Sequence, residues 1–118
     1  DMISHRSQEF TDLYTDLIER FKKYTNADDA HILTGSGTLG LEALMINLTL
    51  PTDKVLLLTN GVFGDKLAKM SRIHTNTEIH SLPAGKGWDI TRAKDIIDES
   101  DADVFAMVYN ETGYGIMN

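Results

Sequence analysis

Short apolar runs alternate with longer stretches of helical spacing along this chain, and that alternation narrows its fold more than any other feature. Val55 to Thr59 (VLLLT) is continuously apolar over a strand's length, as expected for a strand covered on both faces. His31 to Thr34, Glu78 to Leu82 and Val104 to Tyr109 read as further strands, the first of them buried. Leu39 to Leu50, Phe63 to His74 and Thr91 to Glu99 read as the intervening helices. Ahead of them all, Phe10, Leu13, Tyr14, Leu17, Ile18, Phe21 and Tyr24 recur at spacings of three and four, an amphipathic helix. Strand and helix alternating through four cycles imply right-handed crossovers and a three-layer, doubly wound α/β fold with a mostly parallel sheet. A length of 118 residues suits one compact core and is short for two lobes.

Ligands of such sheets bind outside the carboxyl ends of the strands. Three loops should converge there: Gly35-Ser36-Gly37-Thr38, Asn60-Gly61-Val62-Phe63 and Asn110-Glu111-Thr112. The first opens a helix whose Leu39, Leu41, Leu44, Met45, Ile46 and Leu48 leave no fully polar face, so it should be covered on most sides. Backbone N–H groups at a helix start lack intrahelical partners, and glycines let a ligand approach them closely. Such a place suits a phosphate.

Composition removes several other chemistries. A formal charge of -7 leaves no basic face for a nucleic acid, so any anion site must be made locally. The absence of cysteine excludes disulfides, thiolate chemistry and cysteine-bound zinc. His31, His74 and His80 lack metal-ligand spacing, and Asp98, Glu99, Asp101 and Asp103 read as a solvated acidic rim. No apolar run has the length of a membrane span and no signal peptide opens the chain, so no membrane partner and a cytoplasmic location are expected. Gly35 to Gly40 also satisfies G-x-G-x-x-G, the dinucleotide fingerprint. That module wants an acidic residue ending its second strand, and Val55 to Asn60 offers none. A single phosphate ligand fits better.

TGSGTLGLEA (Thr34 to Ala43), NGVFG (Asn60 to Gly64) and YNETGYG (Tyr109 to Gly115), preceded by SHRSQEF (Ser4 to Phe10), resemble the class V aminotransferases of the pyridoxal-phosphate fold type I superfamily. The tone is that of the alanine–glyoxylate/serine–pyruvate and phosphoserine aminotransferases. The resemblance implies the N-terminal part of a large, cofactor-binding domain and transfer of an amino group between an amino acid and a 2-oxo acid. It implies pyridoxal 5′-phosphate as cofactor, its phosphate held by Ser36, Gly37 and Thr38. Phe63 matches the aromatic stacked on the pyridine ring, where many relatives carry Trp, and Thr112 matches the hydroxyl that bonds the ring's phenolic oxygen. Gly113-Tyr114-Gly115 departs from the Ser-Thr-Gly of many relatives. His5 and Arg6 resemble residues that bind substrate phosphate across a dimer interface, and a homodimer is implied for the whole enzyme.

The chemistry also needs a lysine to bond the cofactor aldehyde and an aspartate to keep the pyridine nitrogen protonated. In the family both lie beyond the NET-like motif, and no lysine here has the matching context. The expectation is therefore residues 1–118 as one partial cofactor-binding domain, without catalytic residues of its own and inactive alone. It would lack the catalytic-lysine segment and the small domain, and its partner would be the missing C-terminal half of the same enzyme. A nucleotide-binding (NAD or FAD) Rossmann-type module and a non-catalytic scaffold domain that keeps the fold remain open as alternatives.

Overall fold

The computed structural model describes residues 3–118, which divide into two compact units, one ending at Thr34 and the other running from Gly35 to Asn118. The first unit is built on one helix, α1 (Gln8–Thr25). Ser7 caps it, its hydroxyl accepting from Phe10 N at 3.2 Å while donating to Ser4 O at 2.8 Å. The two serines of SHRS thus make the turn that starts the helix. Glu9 in the first turn and Lys22 and Lys23 in the last complement the helix dipole. Asn26, in the left-handed conformation, closes the helix through its N–H to Lys22 O. The apolar stripe forms as the spacing predicts, yet no residue of α1 is buried.

The strand expected at His31 to Thr34 does not form. Those residues have no ladder partner, and Leu33 is 64% exposed. A strand exists only through its neighbour's hydrogen bonds. Here Ile32 N reaches no strand and lies 3.5 Å from the Tyr14 hydroxyl.

In the second unit α2 (Gly37–Leu48) is followed by β1 (Lys54–Thr59), α3 (Val62–His74), β2 (Asn76–Ser81), α4 (Ile90–Glu99) and β3 (Val104–Met107). The three strands form a parallel sheet in the order β2-β1-β3, with Leu57 opposite Ile79 on one side and Ala106 on the other. β1 is the centre of the core. Val55 and Leu57 point to one face, Leu56 and Leu58 to the other, and none of the four is more than 1% exposed. Val55 and Leu57 pack with Met45 of α2 and with Leu67 and Ala68 of α3. The architecture is the α/β, mostly parallel one that the alternation predicts.

Two expectations need correction here. α2 is not covered on most sides: only Met45 is buried, and Leu44, Ile46 and Leu48 are more than half exposed. Its uniform apolarity cannot select one face, and among the described residues there is only enough sheet and helix to cover the Leu41–Met45 stripe. The last strand stops at Met107, not Tyr109, and a small antiparallel pair follows, β4 (Asn110–Glu111) with β5 (Ile116–Met117).

At its start β1 carries an ion cluster. Lys54 Nζ pairs with Asp101 and lies 3.4 Å from Glu78 Oε2, and Glu78 Oε1 lies 2.8 Å from His80 Nε2. The bond to Asp101 raises the Lys54 pKa above its ordinary 10.5. The bond to Lys54 lowers the Asp101 pKa; the bond to His80, then that to Lys54, lowers the Glu78 pKa. Depressed carboxylates stabilise above their ordinary values and lose that effect as pH falls through the folded-state values; a raised lysine stabilises below 10.5 and loses it as pH rises further. The cluster should therefore contribute fully between pH 4.5 and 10.5. Lys54→Met is expected to lower the melting temperature slightly near neutral pH, less at high salt because these groups are accessible to water. Thermal melts across pH would show the gap between wild type and variant closing below pH 4.5; a gap independent of pH would contradict this account.

Candidate functional site

The loops at the carboxyl edge of the sheet are drawn together by buried polar contacts. Asn60, which follows β1, is 2% exposed. Its Nδ2 donates to Lys86 O at 2.8 Å and to Asn118 Oδ1 at 2.6 Å. Asn118 Nδ2 returns a bond to Asn60 Oδ1 and another to Val108 O at 2.8 Å. One amide pair thus joins the chain after β1, the Pro83 to Gly87 loop and the segment after β3.

Between these loops lies a cavity of about 380 Å³ lined by Gly37, Thr38, Leu41, Phe63, Val108, Asn110 and Thr112. Two helices begin at its wall, and their starts differ. In α3 the N-cap is Gly61, which has no side chain to offer. The carboxylate of Glu111, fully buried, fills that role: Oε1 accepts from Gly64 N at 2.5 Å and Oε2 from Phe63 N at 3.3 Å. Asp65 adds a second negative charge in the same turn. In α2 the Ser36 hydroxyl accepts from Leu39 N at 3.3 Å, and Gly40 N bonds Ser36 O. The N–H groups of Gly37 and Thr38 have no partner among the described residues, and no acidic residue stands in that turn. Of the two helix starts, that of α3 already holds the Glu111 carboxylate, whereas that of α2 presents two successive N–H groups with no negative charge beside them.

The glycines fit this division. A Cβ on Gly61 would lie 2.5 Å from Glu111 Oε2, and one on Gly64 would lie 2.4 Å from Thr59 Oγ1 and 3.2 Å from Thr59 Cα, so both are glycine for lack of room. A Cβ on Gly37 would meet nothing within 4 Å. Packing does not require glycine at 37, and its missing side chain leaves open space beside two unpaired N–H groups.

Of the residues singled out in the sequence, Gly37, Thr38, Phe63 and Thr112 line this one cavity, with Phe63 37% exposed. Ser36 is not part of the lining; it caps α2, with its hydroxyl hydrogen still available. His5 and Arg6 belong to the first unit, where both are exposed in the turn before α1. The sequence did not single out Leu41, Val108 and Asn110 as lining residues, nor the buried roles of Glu111 and Asn60. In sequence Glu111 is only the centre of Asn-Glu-Thr, a carboxylate just after an apolar run. Among the described residues no group of His, Asp and Glu could hold a metal ion, and no helix is long and apolar enough to cross a membrane.

Parallel strands, a glycine-opened helix with unpaired N–H groups and an aromatic lining the same cavity define an α/β protein with a pocket at its sheet edge. No protein-family model matches the sequence. An uncharacterised aminotransferase of Methanocaldococcus jannaschii is 30% identical over 120 residues, which is 99% of this chain and 31% of that protein. A 2-aminoethylphosphonate–pyruvate transaminase of Pseudomonas fluorescens is 32% identical over 116 residues, 92% of this chain and 31% of that protein. The crystal structure of a pyridoxamine–pyruvate aminotransferase from Mesorhizobium loti superposes with a TM-score of 0.86 at 23% identity, over 100% of this chain and 31% of its own. In sequence and in fold this chain is therefore similar to part of a class V aminotransferase of fold type I, and it spans about a third of the length of these relatives.

Proposed function

We propose that this chain carries the phosphate- and ring-binding wall of the pyridoxal 5′-phosphate site of an aminotransferase, which moves an amino group between an amino acid and a 2-oxo acid. The observation that carries this reading is the pair of unpartnered N–H groups, Gly37 and Thr38, in one cavity with Phe63 and Thr112. When bound, pyridoxal 5′-phosphate supplies an electron sink for bond changes at the carbon bearing the amino group.

The chain's own residues bind and orient. The two N–H groups and the α2 dipole hold the phosphate dianion, and the Thr38 and Ser36 hydroxyls add donors. Phe63 offers a flat apolar face to the pyridine ring and keeps water from that side. The Thr112 hydroxyl donates to the ring's phenolic oxygen. His5 and Arg6 would bind a substrate phosphate across a dimer interface. No lysine lines the cavity. The lysine that bonds the cofactor, together with the ring-nitrogen aspartate, would come from sequence outside residues 1–118, in an enzyme working as a cytoplasmic homodimer.

Two observations weaken the dinucleotide alternative. Among the described residues no strand precedes Gly35, and the residue after β1, Asn60, is a buried amide bonded to Lys86 and Asn118 rather than a carboxylate free to hold ribose hydroxyls. Pyridoxal 5′-phosphate is expected to raise the melting temperature of this chain, since a ligand bound to the folded state alone stabilises it. NAD and FAD should not. Borohydride reduction and peptide mapping should then find no stoichiometric label on any lysine. A shift with NAD but not with pyridoxal 5′-phosphate would sink the proposal, and a single fully labelled lysine would sink its statement about the missing lysine.

A further inference from the structure

Glu111 has a fully buried carboxylate, an expensive group to remove from water unless its oxygens are well partnered. Its partners are the N–H groups of Phe63 and Gly64, the first turn of α3. Its chain neighbours, Asn110 and Thr112, and Phe63, whose N–H it accepts, all line the cavity. One side chain thus joins two walls of the site, which are separated in sequence by 48 residues.

The helix it holds is fixed from the other side as well. Gly64 sits so close to Thr59 that a Cβ there would collide with the end of β1, and Thr59 Oγ1 lies 2.8 Å from Asp65 Oδ1. Gly61 is extended, with φ of -178°, a conformation open to any residue. Its glycine is explained by the space that the Glu111 carboxylate occupies. The turn, the helix start and the carboxylate are one fitted unit.

We infer that Glu111 is a positioning residue for the ring end of the cavity: by binding the first turn of α3 it sets the separation between the Phe63 ring and the Thr112 hydroxyl. This rests on the pyridoxal-phosphate reading of the cavity. The phosphate end, at Gly37 and Thr38, has no bond to Glu111 and does not depend on it. Glu111 therefore governs how much tighter the whole cofactor binds than inorganic phosphate.

The test measures affinities of this chain for pyridoxal 5′-phosphate and for inorganic phosphate in wild type, Glu111→Gln and Gly61→Ala. The first variant removes the charge and one acceptor; the second keeps the carboxylate but pushes it aside. Wild type is expected to prefer pyridoxal 5′-phosphate. Each variant should lose roughly tenfold or more of its affinity for the cofactor, the effect of losing a hydrogen bond to a charged group. Affinity for inorganic phosphate should change by less than about twofold. If the two affinities fall together, or neither falls, or both variants fail to fold, Glu111 is only a structural support and the inference is overturned. If wild type shows no preference for the cofactor, the pyridoxal-phosphate reading fails first, and the inference with it.

Discussion

Gly37→Asp is expected to abolish binding of pyridoxal 5′-phosphate and of inorganic phosphate, by on the order of a hundredfold or more, without lowering the melting temperature. The position is the first residue of α2, and a side chain there would meet no atom within 4 Å. An acidic residue in the first turn interacts favourably with the helix dipole by about 0.3–1 kcal/mol, so stability should hold or rise. The same charge would stand beside the N–H groups proposed to hold a dianion. Two like unit charges about 4 Å apart repel by roughly 4 kcal/mol at an effective dielectric constant of about 20. Gly37→Asn, with nearly the same shape and no charge, separates repulsion from bulk and should lose much less. Titration calorimetry with both ligands would decide it. Undiminished phosphate binding by Gly37→Asp would mean that the anion sits elsewhere.

Leu57→Ala should cost about 2–5 kcal/mol of stability, the range for truncating a buried leucine where the surroundings cannot close over the cavity. Leu57 is 0% exposed at the middle of the central strand, paired on both sides, and packed with Met45 and Leu67. A domain of this size has about 5–15 kcal/mol in total, so the variant should melt much earlier or remain partly unfolded. Ile73→Ala is the control: that side chain is 73% exposed at the end of α3, and its loss should fall within about 0.5 kcal/mol of neutral. Urea unfolding of the pair measures the difference. Equal costs would mean that the core is not organised around β1.

Local pattern was enough wherever a segment's neighbours along the chain decide its shape. The spacing of Phe10 to Tyr24 marks α1, and the observed helix runs from Gln8 to Thr25. Phe63 to His74 and Thr91 to Glu99 differ from α3 and α4 by one residue at their starts. The run Val55 to Thr59 is β1 but for Lys54, because only a strand covered on both faces tolerates five successive buried side chains. The start of α2 was legible for the same reason: Ser36 caps the helix within three residues of itself.

What the sequence could not decide depended on partners far along the chain. His31 to Thr34 is as apolar as a strand, yet it meets no ladder and stays irregular, since strand formation is a property of a pair. Uniform apolarity in α2 said that the helix would pack but not which stripe would; the sheet beneath it chose Leu41 and Met45. Asn60 and Asn118 are ordinary turn and chain residues in sequence, and become a buried amide pair only when their loops meet. Glu111 depends most on the fold. As a sequence position it is one more acidic residue in an acidic chain, but the tertiary structure sets it against a helix start that Gly61 leaves uncapped. A carboxylate can be buried only where donors are already aimed at it, and those donors, Phe63 N and Gly64 N, are brought to it by the folding of the whole sheet.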